Sequence, residues 1–382
     1  MSAISVPMRG QSTTLQREGN WIYNRRWDLF FISLSVVLVP LPYFIWIFFR
    51  DILQVESDAG RQGVNLLIAV LIGGPHMYAT FTRTALDSDF RRHYGGFIRS
   101  SLIIPLIVVT LALTNLTLLL TIFFFWASIH VIHQIVFVVD AYNKRSGDTD
   151  LLHIHAQPTA SRLPWWSHYF DYAVVCLALA PLASYRIAIT QDFSIGPSHL
   201  NDIIPSAFEQ PWFVVAASTL FGIALVGYLV KTVVEVRSGT VHWPKTIFIA
   251  LTVLASFIAP ALGNLDTSFQ GLNVWHSFQY LALTWYINRL RQGRGELEQK
   301  PFLQRISADG HSRLYYGFNL ALTLGSSVVI GVVFFLLYQI GGKWVDRGYA
   351  LETAYYIGVL SVLWVHYYHD HFLFTQSAVV EV

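Results

Sequence analysis

A single cysteine, Cys176, in 382 residues excludes a disulfide within the chain, and with it CxxC metal sites and CxxCH haem attachment. Charge is scarce as well. Only 13% of the residues are charged, against about 25% in a soluble domain, so much of the surface must face something other than water. The net charge of +2 is too small to point to nucleic acid. The first 27 residues are polar and hold no short apolar core ahead of a small-residue cleavage site. The expectation is a retained first span rather than a cleavable signal peptide. No inserted soluble domain, low-complexity tract or nucleotide-binding motif interrupts the rest of the chain.

What the chain has in abundance is apolar length. Hydrophobic residues make up 54% of it, with a mean hydropathy of +0.47. Crossing roughly 30 Å of hydrocarbon takes about 20 apolar residues, and such windows recur from Asp28 onward. The pattern predicts an all-α, polytopic transmembrane helix bundle of ten spans, at 28–49, 64–82, 98–114, 116–139, 169–190, 212–234, 246–263, 268–287, 315–340 and 351–374. The run from Ser101 to Val139 is too long for one helix, and Thr114-Asn115 is its one plausible polar turn. Lysines and arginines divide 20 to 5 between the two sides implied by this count. The rich side is cytoplasmic by the positive-inside rule, so both termini are expected inside. The organisation read this way is a cytoplasmic segment 1–27, a single helical domain 28–375 and a short cytoplasmic tail 376–382, in a bacterial inner membrane. The basic stretch 288–314 reads as a helix extension followed by a solvated loop.

Fourteen histidines are unevenly placed. His76 lies in span two within Gly73-Gly74-Pro75-His76. His130 and His133 lie in span four, His276 in span eight, and His366, His369 and His371 in span ten. All four spans are even-numbered and run in the same direction. His76, His133 and His369 each fall six or seven residues short of a polar helix end, roughly 10 Å below it at 1.5 Å per residue, with His276 somewhat deeper. Residues three apart share a helix face, so His130-x-x-His133 and His366-x-x-His369 are expected to point to one place. Imidazole is the commonest side-chain metal ligand, and paired ligands on facing helices are a device of bundle proteins that hold two irons. The candidate metal ligands are His76, His130, His133, His276, His366 and His369. A ligating histidine donates its other N–H to a nearby acceptor. Asp140, Asp370, His371, Gln134 and Gln279 are nominated for that supporting role or as further possible ligands, the direction of His371 being ambiguous. A lone membrane histidine is more often a helix–helix hydrogen bond, but six ionisable side chains at similar depth point to a site.

These residues resemble the Brp/Blh family of membrane β-carotene 15,15′-dioxygenases. Gly73-Gly74-Pro75-His76 looks like the family's Gly-x-Pro-His motif, and His130, His276 and His366 like its later isolated histidines. Met77 stands where the family has a small residue. A second resemblance is to membrane di-iron fatty-acyl desaturases and hydroxylases, through the degenerate boxes His130-x-x-His133-Gln134 and His366-x-x-His369-Asp370, although the leading His-x(3–4)-His box is missing. Both imply non-haem iron, one or two ions, activating O₂ against a long apolar substrate such as a carotenoid or a fatty-acyl or hydrocarbon lipid. Two other classes stay open. A bis-histidine haem electron carrier would show a Soret band, and a proton or metal-ion transporter would be expected to show internal repeats and broken helices.

Overall fold

The computed structural model describes residues 20–146, 163–196, 198–262, 265–341 and 347–375. The N-terminal residues 1–19, the loop histidines His153 and His155, and the tail from 376 lie outside the described residues. The chain is almost entirely helical, and a helix occupies each of the ten segments read from the sequence. They are α1 (Arg25–Ile52), α2 (Ala59–Thr82), α3 (Ser88–Thr114), α4 (Leu116–Ser146), α5 (Trp166–Thr190), α6 (Pro211–Ser238), α7 (Trp243–Ala261), α8 (Leu265–Gly293), α9 (Ser312–Gly341) and α10 (Arg347–Thr375). Seven of them (α1–α6 and α9) are long and apolar enough to cross a bilayer. α7 is shorter, while α8 and α10 carry the polar and histidine residues that lower their hydropathy. A two-residue hairpin, β1 (Ser194–Ile195) with β2 (Ser198–His199), adds a small non-helical element after α5.

Local chemistry explains the breaks. Asn115 leaves the helical region, and its side chain accepts from Leu118 N at 2.9 Å, so the Thr114-Asn115 turn is also the N-cap of α4. Pro75 has no N–H to donate to the carbonyl four residues back. That carbonyl belongs to Leu71, which takes the hydroxyl of Tyr316 from α9 at 2.7 Å instead. The turn Ala69–Gly73 just upstream is widened to π geometry, re-aiming the segment that carries His76.

α8 lies innermost and packs against α1, α2, α4 and α7, while α10 packs against α2, α3, α4 and α9. Gly271 of α8 meets the carbonyl of Val39 in α1 so closely that a side chain there would collide with backbone. The outward faces of α6 and α9 are apolar, with Val215 and Val328 about two-thirds exposed. Such faces suit lipid, not water.

Ion pairs pin one set of helix ends. Asp171 of α5, fully buried, binds Lys231 of α6 at 3.0 Å and Lys245 of α7 at 3.0 Å. Lys245 also donates to Asn143 of α4 at 2.8 Å. Removing one partner of a buried pair strands the other charge, at a cost of about 3–5 kcal/mol. Asp171→Ala is therefore expected to destabilise the protein by that order, read as a fall in detergent-solution unfolding temperature. Asp87, between α2 and α3, is held by Lys300 at 2.7 Å and Arg291 at 2.5 Å. Burial alone would raise its carboxyl, but the Lys300 ammonium and the Arg291 guanidinium outweigh it and hold the group below the usual carboxylate range. A depressed carboxylate contributes stability that is present above its unfolded pKa of about 3.9 and is lost as pH falls through the folded value. Amide exchange around Ser88 and Lys300 should stay slow at neutral pH and quicken only below about pH 4. Quickening already at pH 6 would contradict the pairing.

Candidate metal centre

The four inward helices bring His76 (α2), His130 (α4), His276 (α8) and His366 (α10) together in one buried cluster, each no more than 4% exposed. Ring centroids lie 4.7 Å apart for His76 and His366, 4.8 Å for His130 and His276, 5.0 Å for His130 and His366, and 5.2 Å for His76 and His276. Helix packing has absorbed the extra depth read for His276. A carboxylate completes the group. Oδ2 of Asp370 stands 3.6 Å from His366 Nε2 and 3.9 Å from His130 Nε2. Donor atoms of His76, His276 and His366, and likewise of His130, His366 and Asp370, lie within 4.8 Å of one another, so each set could hold a metal ion.

The hydrogen bonds point the same way. A buried polar atom without a partner costs about 1–3 kcal/mol, and native proteins leave few. Among the described residues, His130 Nε2, both ring nitrogens of His276, His366 Nε2 and Asp370 Oδ2 all lack one. Five such atoms on side chains that converge on one spot mark a donor set for a cation.

The remaining edges of these side chains are tied down. His76 Nδ1 engages the Gly73 carbonyl and the Ser277 hydroxyl, the latter at 2.9 Å, which leaves Nε2 as the nitrogen it can offer. Oδ1 of Asp370 accepts from Tyr280 at 2.5 Å and from Thr80 at 2.7 Å. Thr80 has a single hydroxyl proton, and giving it to Asp370 obliges its oxygen to accept from His366 Nδ1, 2.6 Å away. The His366 proton therefore sits on Nδ1, and the lone pair of Nε2 faces the centre. The ring of His130 stacks on Tyr367 at 4.2 Å.

The supporting groups follow a rule. Thr80, Gln134, Tyr280 and Asp370 each lie four residues after a histidine of the cluster, on the same face one turn further along. Because the four helices run in parallel, a polar layer forms on the side of the histidine layer toward their C-terminal ends. Gln134 uses its amide on the His276 carbonyl at 3.2 Å and on Gln279 at 3.1 Å, and Gln279 in turn donates to Ile32 of α1 at 2.6 Å. Sequence reasoning nominated Asp370, Gln134 and Gln279 but missed Thr80, Tyr280, Ser277 and Tyr367. The repeated i+4 spacing would have found the first two.

The second members of the His-x-x-His pairs go elsewhere. Residues three apart are offset by roughly 60° around the helix axis, and in so tight a junction one ring reaches the centre while the other does not. His369 is buried, with Nδ1 on Thr84 at 3.0 Å and Nε2 on Ser101 at 3.2 Å, so it ties α10 to the turn that follows α2 and to α3. His133 is only half-buried and faces His371, with ring centroids 5.4 Å apart. Asp140 takes the hydroxyl of Tyr172 from α5 rather than supporting a cluster histidine. Seven residues carry it about 10 Å along α4 from His133, into the polar network of Tyr172 with Asn143.

No family model, curated protein or solved structure matches this chain. Fold and site together define the class: a helical membrane protein with a buried four-histidine, one-carboxylate cluster that could hold a metal ion.

Changes in the cluster should read out as metal content. His276→Ala and His366→Ala are expected to abolish bound metal in the detergent-purified protein, measured by elemental analysis. Thr80→Val, which frees the His366 tautomer, should weaken metal affinity about 10–100-fold. His369→Ala should lower stability while leaving metal stoichiometry unchanged, and loss of the metal there would contradict the assignment.

Proposed function

We propose that the protein is a membrane-integral, non-haem iron oxygenase acting with O₂ on a long apolar substrate. The observation that carries this reading is the set of partnerless donor atoms on His130, His276, His366 and Asp370, deep in an apolar bundle. Imidazole and carboxylate donors suit iron among the first-row metals. His76, His276 and His366, or His130, His366 and Asp370, would hold the iron. Bound there, iron would supply the activation of O₂.

The protein's own contribution is positioning and exclusion of water. His76, His130 and His366 are fixed by Gly73 and Ser277, Tyr367 and Thr80 respectively. Tyr280 and Thr80 satisfy one oxygen of Asp370 and leave the other to serve as ligand or to accept a proton. Arg83, 3% exposed, lies close enough to Asp370 and Tyr280 to offset the carboxylate charge. A cavity of about 60 Å³ abuts His76 and Tyr367, the place for a reacting group beside the donors. The ring contacts also favour non-haem over haem chemistry. Histidine rings packed edge to face at 4.7–5.2 Å leave no slot for a flat macrocycle.

The resemblance to the β-carotene dioxygenases and desaturases agrees with this reading, with a carotenoid or fatty-acyl or hydrocarbon lipid as substrate and a multi-pass, bacterial inner-membrane setting with both termini cytoplasmic. The deciding experiment is elemental analysis of purified protein with an optical spectrum of the same sample. One iron per chain without a Soret band is the expected outcome, and O₂ consumption with added polyene or alkyl substrate should vanish in His276→Ala. A Soret band, or protein wholly free of redox metal, would overturn the proposal.

A further inference from the structure

Two cavities meet at one side chain. The inner one runs between α2, α8 and α10. On α2 it follows Asn65, Ala69, Gly73 and His76, a single stripe that rises roughly 16 Å, and it ends at Tyr367 beside the histidine cluster. The outer one, about 200 Å³, lies between α4, α5, α7 and α8 and is lined by Phe124, Phe125, Ile132, Cys176 and Leu272 among others. Phe269 of α8 lines both.

The wall between them is aromatic. Phe269 packs on Phe123 at 5.4 Å and on Phe124 at 5.5 Å, and Phe124 packs on Phe193 at 4.8 Å. Phe123 faces the inner cavity and Phe124 the outer one. The outer cavity reaches the apolar exterior of the bundle, since Phe125 is 43% and its neighbour Ile129 64% exposed. Its volume exceeds the ~150 Å³ that an engineered apolar cavity offers to benzene. The one charged side chain on its wall, Arg186, is already paired with Asp192 at 3.4 Å.

We infer that the two cavities form a single lateral route from the bilayer to the histidine cluster, gated by Phe269, and that its occupant is an uncharged, linear alkyl or polyene chain. The inference deepens the oxygenase reading and rests on it for the chemistry at the inner end. A linear chain suits the shape, because the inner cavity is a long crevice between helices. An uncharged chain suits the walls, because the only charge along the outer part is neutralised. A side-chain rotation of Phe269 is the one movement needed to join the two spaces. Gly73 lines the crevice beside His76, and a side chain there would come into contact with Asn273 across it.

The test uses the full chain in lipid vesicles with a long-chain alkyl diazirine as the photoreactive probe, and maps adducts by mass spectrometry. Adducts are expected on the outer wall, around Cys176 and Ile132, and also on Met77 and Leu363 of the inner crevice. Those two residues are each 7% exposed, so bulk probe in the bilayer cannot label them. Phe269→Trp should lower the inner adducts at least tenfold and leave the outer ones unchanged, whereas Phe269→Ala should raise the inner adducts severalfold. Inner labelling that is absent in the parent protein, or equal in all three proteins, overturns the route. Metal content, measured on each sample, separates this result from the oxygenase reading and reports on folding of the variants. Gated labelling without metal defeats the oxygenase and leaves the route, while metal without inner labelling does the reverse.

Discussion

Everything in this molecule answers to the problem of burying four imidazoles and a carboxylate in a medium that offers no water. An unpartnered polar group in an apolar surround costs several kcal/mol, and His276 has neither ring nitrogen satisfied by the protein. A cation shared among these donors would turn that cost into binding free energy, and stability and metal occupancy would then be coupled. The arrangement is tolerable only if the donors converge, and convergence requires that α2, α4, α8 and α10 be fixed against one another to a fraction of an ångström.

The means of fixing them are distributed through the bundle. α2 gives up one helical hydrogen bond at Pro75 and recovers a partner for the freed carbonyl in Tyr316, so its kink is held from outside. α8 is brought against α1 by Gly271 and cross-linked to it through Gln279. α10 is tied by His369 to the turn that follows α2 and to α3. α4 is anchored through Asn143 to Lys245, and thence to Asp171 and Lys231. Each inner helix thus carries its own brace, and each brace lies outside the donor cluster.

Much of this was legible in the sequence, and the remainder was hidden for geometric reasons. Apolar run length gave the helices, because crossing length is a matter of counting residues, and Asn115 announced its turn because no other polar residue interrupts Ser101–Val139 at a workable place. His76, His130, His276 and His366 were recoverable because four parallel helices put equal sequence offsets at equal depth. The fate of His133 and His369 was not recoverable. An i,i+3 pair shares a face in the sense of a broad stripe, yet the angular offset between its members exceeds what a junction of four helices can admit. Asp370 was nominated as a supporting group or a further ligand, and the structure sets one of its oxygens in the cluster while Thr80 and Tyr280 hold the other. The choice between those two roles depends on the rotamer of one side chain, which no spacing encodes.

The two sides of the cluster are built differently, and the difference bears on access. On the side of the C-terminal ends of the four helices lie the polar layer of Thr80, Gln134, Tyr280 and Asp370, then Arg83 and Asn288, then the pairs of Asp87 with Arg291 and Lys300. These layers are cross-linked by hydrogen bonds and ion pairs, and opening a path through them would break several at once. Toward the opposite face the neighbours of His76 are a crevice and aromatic rings, which yield by rotation about single bonds. The same asymmetry rigidifies the cluster on one side and leaves the other bounded by groups that move by rotation alone.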